Sequence, residues 1–259
     1  MKSPIKWAGG KSWLVDTVKE MYLKSGQTKI VEPFCGSCAI TFGIEPEAAL
    51  LNDINFGLIT FYNEVKNGSY INTESFELTK EEYYRIRDLF NELKKRDKRS
   101  PDLAESFYYL NKTGFNGLYR ENKKGEFNVP WGKRKKIAPI EVKTKDLCSY
   151  QFTCGKYQSL AIAPTDFLFV DPPYDTEFKN YSSGGFNFDD QDKLVWWLLG
   201  LNVPFVLTNQ ATDRIVEMYR DYELDLQFVE APRRISCNGD RKPALEVIAT
   251  NFSKFPKYN

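Results

Sequence analysis

Histidine is absent from the 259-residue sequence, which removes the commonest general base and the commonest side-chain metal ligand from any chemistry the chain performs. Carboxylates, backbone groups or a bound cofactor remain as the reactive groups. Cysteine is sparse: five residues at irregular spacing, an odd number that argues for reduced thiols in a cytoplasm rather than a disulfide framework. No apolar run reaches membrane length, and Met1 to Lys11, with Lys2, Pro4 and Lys6, reads as neither a signal peptide nor a span. The expectation is a cytoplasmic chain without a membrane partner. Strong net charge is lacking too. The total is only +1, yet Lys112 to Lys136 holds eight Lys or Arg against Glu121 and Glu126. That strip stands at +6 and the rest of the chain at −5, which marks where a phosphate backbone would dock.

What is present is ample apolar material, 42% hydrophobic and 15% aromatic, enough for one sizeable core or a core with a smaller lobe. Helical spacing runs from Lys11 to Leu23, stopped by Ser25 and Gly26. Short extended runs follow at Lys29 to Pro33 and Ala48 to Asp53, with a helix from Asn55 to Val65. Thr79 caps an amphipathic helix to about Arg96, and Ser100 with Pro101 opens another through Leu110. The stretch Thr113 to Gly132 is loop-rich, with a hairpin turn expected at Gly125. Extended runs resume at Ser149–Cys154, Phe167–Val170, Phe205–Thr208, Leu224–Val229 and Leu245–Asn251, between helices at Asp190–Leu199 and Thr212–Tyr219. The pattern is α/β, with residues 1–56 and 145–259 forming a sheet domain and residues 57–144 an inserted helical lobe.

The sharpest motif is Asp171-Pro172-Pro173-Tyr174, directly after the apolar strand Phe167–Val170. From average usage it should arise by chance in roughly one in a thousand chains of this length. An adenine amino nitrogen is a poor nucleophile because its lone pair is delocalised, and accepting both of its hydrogens draws it toward a tetrahedral, reactive geometry. Asp171 accepts one. The paired prolines lack N–H groups and stiffen the turn, so the Pro172 carbonyl can be held out as the second acceptor. Tyr174 offers a flat face to a base. The plainer reading is a strand-ending turn with a solvated aspartate, but the carboxyl end of a strand is where open α/β sheets bind ligands.

Glu32-Pro33-Phe34-Cys35-Gly36-Ser37 ends the first strand, and Gly36 permits close backbone approach to a cofactor. Asp53, at the end of the next strand, suits ribose hydroxyls. Lys6-Trp7-Ala8-Gly9-Gly10-Lys11-Ser12 is not a P-loop, since Ile5 stands where the first glycine is required and no useful strand precedes it. Either Trp7 and Lys11 bracket a zwitterionic ligand, or Trp7 is core and Gly9-Gly10 an ordinary turn. Cys35 and Cys38 have redox or zinc spacing. Without histidine or a second cysteine pair zinc lacks four ligands, so no metal is expected. A thioredoxin-like role stays open beside the simpler one of lining the turn; Cys148, Cys154 and Cys237 read as small core or surface residues.

Taken in order, Trp7-Ala-Gly-Gly-Lys11, Glu32-Pro-Phe-Cys-Gly36, Asn52-Asp-Ile-Asn55, Asn111-Lys-Thr-Gly-Phe-Asn-Gly-Leu-Tyr-Arg120, Phe127-Asn-Val-Pro130 and Asp171-Pro-Pro-Tyr174 make the chain resemble the Dam and DpnM-type DNA adenine-N6 methyltransferases. The resemblance covers nearly the whole chain, ending in Ile235-Ser-Cys-Asn-Gly and the strand Leu245–Phe252. It implies a Rossmann-like methyltransferase sheet, S-adenosyl-L-methionine as cofactor, double-stranded DNA as partner and a flipped adenine as target, with GATC as the expected site. Cofactor contacts carry over to Trp7, Lys11, Asp53 and Asp171, the last also facing the target amine. Phe34 and Gly36 belong to the cofactor turn, and Tyr157 falls where the family packs a residue on the cofactor adenine, although its flanks Gly155-Lys156 match poorly. Phe115, Asn116, Leu118 and Arg120 match the DNA-reading hairpin, with Pro130 on its return arm. Lys6 aligns with a lysine that touches a guanine, while Lys133 and Arg134 begin a basic run suited to phosphates. Two departures stand out: Gly36-Ser37-Cys38 replaces Gly-x-Gly, leaving less room, and the lid segment Asp175–Phe188 is shorter than in the best-known relatives.

The rival acceptors are cytosine N4, RNA adenine or a protein amide; Asp at the head of the tetrapeptide favours DNA adenine by the resemblance. A catalytically idle DNA-binding module is the rival of another class, opposed by the intact Asp171–Tyr174 motif together with Asp53. The sequence leaves open whether a restriction enzyme accompanies the chain.

Overall fold

The computed structural model describes residues 1–142, 144–175, 186–232 and 244–255. Seven strands form one sheet: β1 Lys29–Glu32, β2 Ala48–Asp53, β3 Tyr150–Cys154, β4 Asp166–Val170, β5 Phe205–Gln210, β6 Asp225–Ala231 and β7 Ala244–Thr250. Their spatial order is β3-β2-β1-β4-β5-β7-β6. Neighbours from β3 to β5 run parallel, and β7 lies antiparallel to both β5 and β6. This is the Rossmann-like methyltransferase sheet that the resemblance implies. The central strands carry unbroken apolar runs, as Phe167–Val170 illustrates, because both faces are covered. Phe167 and Phe169 point into one layer with Ile30, Val206 and Ile248. Leu168 and Val170 point into the other with Val31, Leu194 and Tyr219.

The helices are α1 Val15–Ser25, α2 Ala39–Ile44, α3 Phe56–Lys66, α4 Lys80–Lys95, α5 Pro101–Thr113, α6 Phe188–Gly200 and α7 Asp213–Asp221. The expected caps are in place, since Thr79 Oγ1 accepts from the Glu82 N–H at 3.2 Å and Ser100 Oγ from the Leu103 N–H at 3.2 Å. The helix expected from Lys11 begins later. Residues 12–14 form a 3₁₀ turn and regular α-helix starts at Val15, because the Lys11 backbone turns its side chain inward. The six residues of α2 are too few for a periodic signal, and no helix was legible there.

One apolar cluster joins Leu51 and Phe152 of the sheet to Leu58, Phe61 and Tyr62 of α3 and onward to Tyr83, Phe90, Phe107 and Tyr108 of α4 and α5. Each such side chain contributes about 1.5–3 kcal/mol by burial. The helices between β2 and β3 are thus welded to the sheet by shared core. The chain runs from β1 outward to β2 and β3, then returns to β4 on β1's other side. That switch point opens a crevice at the carboxyl ends of β1 and β4, where Glu32 and Asp171 emerge.

Candidate active site

Asp171 leaves β4 with both carboxylate oxygens engaged. Thr208 Oγ1 donates to Oδ1 at 2.8 Å and Lys11 Nζ donates to Oδ2 at 3.0 Å. The Lys11 side chain is 4% exposed, its ammonium also donates to the Gly9 carbonyl at 2.6 Å, and it lies 4.7 Å from the centre of the Tyr174 ring. Lys11 therefore covers both the Asp171 carboxylate and one face of the Tyr174 ring. Tyr174 donates from its hydroxyl to Glu246 Oε2 at 2.7 Å, and burial holds that phenol well above its usual pKa range.

The proline turn is supported from below by buried amides. Gln191 Nε2 donates to the Pro173 carbonyl at 2.8 Å, and Asn209 Nδ2 donates to Gln191 Oε1 at 3.0 Å. Among the described residues no donor reaches the Pro172 carbonyl, so Pro173 is tied down and the carbonyl before it is left for a visitor. Thr208, Gln191 and Asn209 escaped sequence reasoning. The one signal was the polar ending of an otherwise apolar strand, Thr208-Asn209-Gln210.

Across the crevice, Asp53 ends β2 and accepts backbone N–H groups from Gly36 at 3.0 Å and Asn55 at 2.9 Å. Burial pushes its pKa up, opposed by those hydrogen bonds. Gly36 has φ +46°, and a Cβ there would stand 2.7 Å from Trp7 Cδ1, so only glycine lets the indole lie on the turn. Cys38 stands where Gly-x-Gly would place its second glycine and is left-handed at φ 54°. It stores about 1–2 kcal/mol of backbone strain and is fully buried. Glu32 beneath the turn is buried, and desolvation lifts its pKa to about 7 against the pull of Thr41's N–H and hydroxyl.

Phe34 and Tyr157 come together, ring centres 5.4 Å apart, with Phe186 at 5.7 Å from Phe34. They form an aromatic wall beside the turn. Ile54, next to Asp53, is 75% exposed, a bare apolar surface at a strand end that sequence reasoning passed over because a lone isoleucine carries no signal.

The hairpin that follows α5 lies beside this crevice. The Phe115 N–H donates to the Pro130 carbonyl at 2.9 Å, Asn128 N–H to the Arg120 carbonyl at 3.0 Å and Gly125 N–H to the Asn122 carbonyl at 2.9 Å, so the turn expected at Gly125 is present. α4 grips it, with Asn91 exchanging hydrogen bonds with the Phe127 backbone at 2.8 and 3.2 Å. Phe115, Asn116, Arg120 and Pro130 are exposed, while Leu118 is half-buried. Arg120 donates to Asn128 Oδ1 at 2.8 Å, whereas Glu121 and Glu126 pair with Lys94 and Lys95. Lys133, Arg134, Lys135 and Lys136 are exposed, without a carboxylate partner among the described residues.

Lys6 lies under the hairpin, where a Cβ at Gly117 would meet its side chain at 2.7 Å. Burial, with Arg134's charge, lowers its pKa. Burial and the Lys6 charge lower Lys112 to about 8, so unneutralised cations gather beside the hairpin. Trp7 bridges the two halves, on Gly36 at one side and stacked on Tyr119 of the hairpin at 5.7 Å on the other.

Among the described residues no three His, Cys, Asp or Glu side chains gather as a metal site, and no helix is long and apolar enough to cross a membrane. Cys35 and Cys38 are buried free thiols. The 176–185 part of the lid and the Ile235–Gly239 motif, with Cys237, lie outside the described residues.

The family model for D12 class N6 adenine-specific DNA methyltransferases matches residues 7–231. The chain is 32% identical to the type II methyltransferase M.MjaIII of Methanocaldococcus jannaschii, over 97% of this chain and 99% of that protein. It is 33% identical to the DNA adenine methylase of Escherichia coli K12, over 95% and 93% of the two chains. Against the DNA adenine methylase of Vibrio cholerae it is again 33% identical, over 96% and 95%.

Proposed function

Since the chain belongs to the D12 class of N6 adenine-specific DNA methyltransferases, we propose that it uses S-adenosyl-L-methionine, flips an adenine out of duplex DNA and methylates it within GATC. The supporting observation is the pair of acceptors on one rigid turn: the Asp171 carboxylate, and the Pro172 carbonyl that no donor among the described residues reaches while Pro173 is tied down. Together they draw the amine nitrogen's lone pair out of the ring. Lys11 pairs the Asp171 charge and covers the Tyr174 face, and it must release both as the base enters.

The cofactor fits the crevice. Gly36's bare backbone, the Asp53 carboxylate with a lone pair left on each oxygen, the exposed Ile54 and the Phe34–Tyr157 wall offer a ribose acceptor and apolar faces. When bound, its sulfonium supplies an electrophilic methyl group for in-line displacement by the amine. The chain's own part is positioning both partners; as the N–C bond forms the methyl–sulfur bond breaks, its electron pair staying on sulfur, and the amine's surplus proton passes to solvent water.

Residues 57–144 serve as the recognition lobe in this reading, with residues 1–56 and 145–259 catalytic. Phe115, half exposed beside the left-handed pair Asn116-Gly117, holds the gap left by the flipped base. Arg120 offers its planar guanidinium to a guanine O6 and N7. Asn128 stabilises that fork in place.

The deciding experiment incubates the protein with tritiated S-adenosylmethionine and duplexes differing only within GATC. Wild type is expected to label GATC above every single-base variant, and Arg120→Ala to lose about 1–3 kcal/mol of preference at one base pair only. Equal labelling of all duplexes by wild type sinks the site assignment; an unchanged preference profile in Arg120→Ala removes Arg120 as the reader. The exposed run from Lys133 to Lys136 behaves differently. Replacing Lys133 and Arg134 with Gln should weaken cognate and non-cognate duplexes alike and lower the salt slope by roughly two units. A salt titration of binding with an unaltered slope rejects phosphate contact there.

A further inference from the structure

Lys6 and Trp7 sit outside every helix and strand, so something else must fix their backbone. Asn111 of α5 does so from 105 positions away. Its Oδ1 accepts the Lys6 N–H at 3.0 Å and its Nδ2 donates to the Lys6 carbonyl at 2.7 Å. Among the described residues no other group bonds the Lys6 backbone. The side chain thus acts as a detached peptide group, pairing one residue as a strand neighbour would. Asn111 is 3% exposed, and it can turn neither group elsewhere without leaving a buried donor or acceptor unpaired.

Two contacts radiate from the residues it holds. Lys6 fills the space over Gly117 in the reading turn, and Trp7 fills the space over Gly36 in the cofactor turn, each so closely that a Cβ on the glycine would stand 2.7 Å away. Trp7 also stacks on Tyr119 of the hairpin. We infer that Asn111 is a positioning residue that sets the Lys6-Trp7 backbone, so that the reading turn and the cofactor turn hold their working geometry together. The assignment rests on the proposed function, with Lys6 facing DNA and Trp7 the cofactor as the family resemblance implies. A side-chain role confined to stability would leave the two turns independent of each other.

The test compares wild type with Asn111→Leu, which removes both hydrogen bonds at similar volume, and Asn111→Asp, which keeps the acceptor and turns the donor into a second oxygen facing the Lys6 carbonyl. Amide hydrogen exchange without ligand is followed in peptides spanning 5–10, 33–38 and 114–120. Exchange is expected to rise about tenfold or more in all three peptides, and S-adenosylmethionine affinity and preference for GATC are each expected to fall about tenfold. Should Asn111→Leu not fold, Asn111→Asp alone decides. Unchanged exchange at either turn overturns the inference, as do cofactor affinity and site preference both within twofold of wild type, even if the melting temperature drops. If wild type itself shows no GATC preference, the site reading has failed, while the exchange comparison still decides the role of Asn111.

Discussion

Asp171→Ala is expected to cut methyl transfer by a thousandfold or about that, while the chain still folds. Removing one preorganised acceptor of a developing charge typically costs about 10²–10³ in turnover. Here the loss also strands a partner. Lys11, 4% exposed, would keep only the Gly9 carbonyl and the Tyr174 face, so its cation would settle in the pocket without a counter-charge and oppose entry of the amine. The same stranding costs stability, by about 1–3 kcal/mol for a charge that retains one hydrogen bond. Asp171→Asn separates the two effects. It keeps the shape and one acceptor for Thr208 or the amine but ends the ion pair, and should recover thermal stability more than activity. Single-turnover assays with tritiated cofactor, beside melting curves, measure both; turnover of Asp171→Ala within tenfold of wild type would falsify the acceptor role.

Asp53→Ala carries the second large effect, and it reaches beyond a lost ribose contact. The carboxylate bridges the N–H of Gly36 to the N–H of Asn55, so it ties the cofactor turn to the start of α3. Its removal frees both, and the hydrogen bonds proposed for the cofactor ribose would be lost as well. Cofactor affinity should fall by about 1.5–3 kcal/mol from the charged contact alone, with some further loss from the loosened turn. Asp53→Asn should lie between, because an amide oxygen can still accept from Gly36. Titration calorimetry of S-adenosylmethionine against the three proteins gives the comparison. An affinity in Asp53→Ala equal to wild type would remove Asp53 from the cofactor site.

The sequence announced the sheet through its apolar strands and announced the chemistry through the one tetrapeptide that ends β4. These were legible because each depends on neighbours in the chain: a period of two or four residues, a cap, a pair of prolines. The supports were not. Thr208 and Lys11 meet Asp171 from 37 and 160 positions away, and Gln191 reaches Pro173 across 18. Such contacts follow from packing alone. Lys11 shows the difference well: the spacing assigned it to the start of a helix, yet regular helix begins only at Val15 and the Lys11 ammonium pairs with the half-buried Asp171 carboxylate. Cys38 is the converse case, where the local rule demanded glycine and the core supplied enough burial to hold a cysteine left-handed.

The two glycines that receive Lys6 and Trp7 also bear on how this chain can drift over generations. A methyl group at position 36 or 117 collides with the residue lying over it, and the positive φ of both glycines, +46° and +64°, strains any side chain whatever the space, so shrinking the facing side chain alone frees neither position. Shrinking Trp7 would also leave a hollow over Gly36. Each route passes through an unfit intermediate. The four positions are therefore expected to be inherited as a block, and a descendant with altered site preference should arise through the exposed tips of the hairpin before any of the four is replaced.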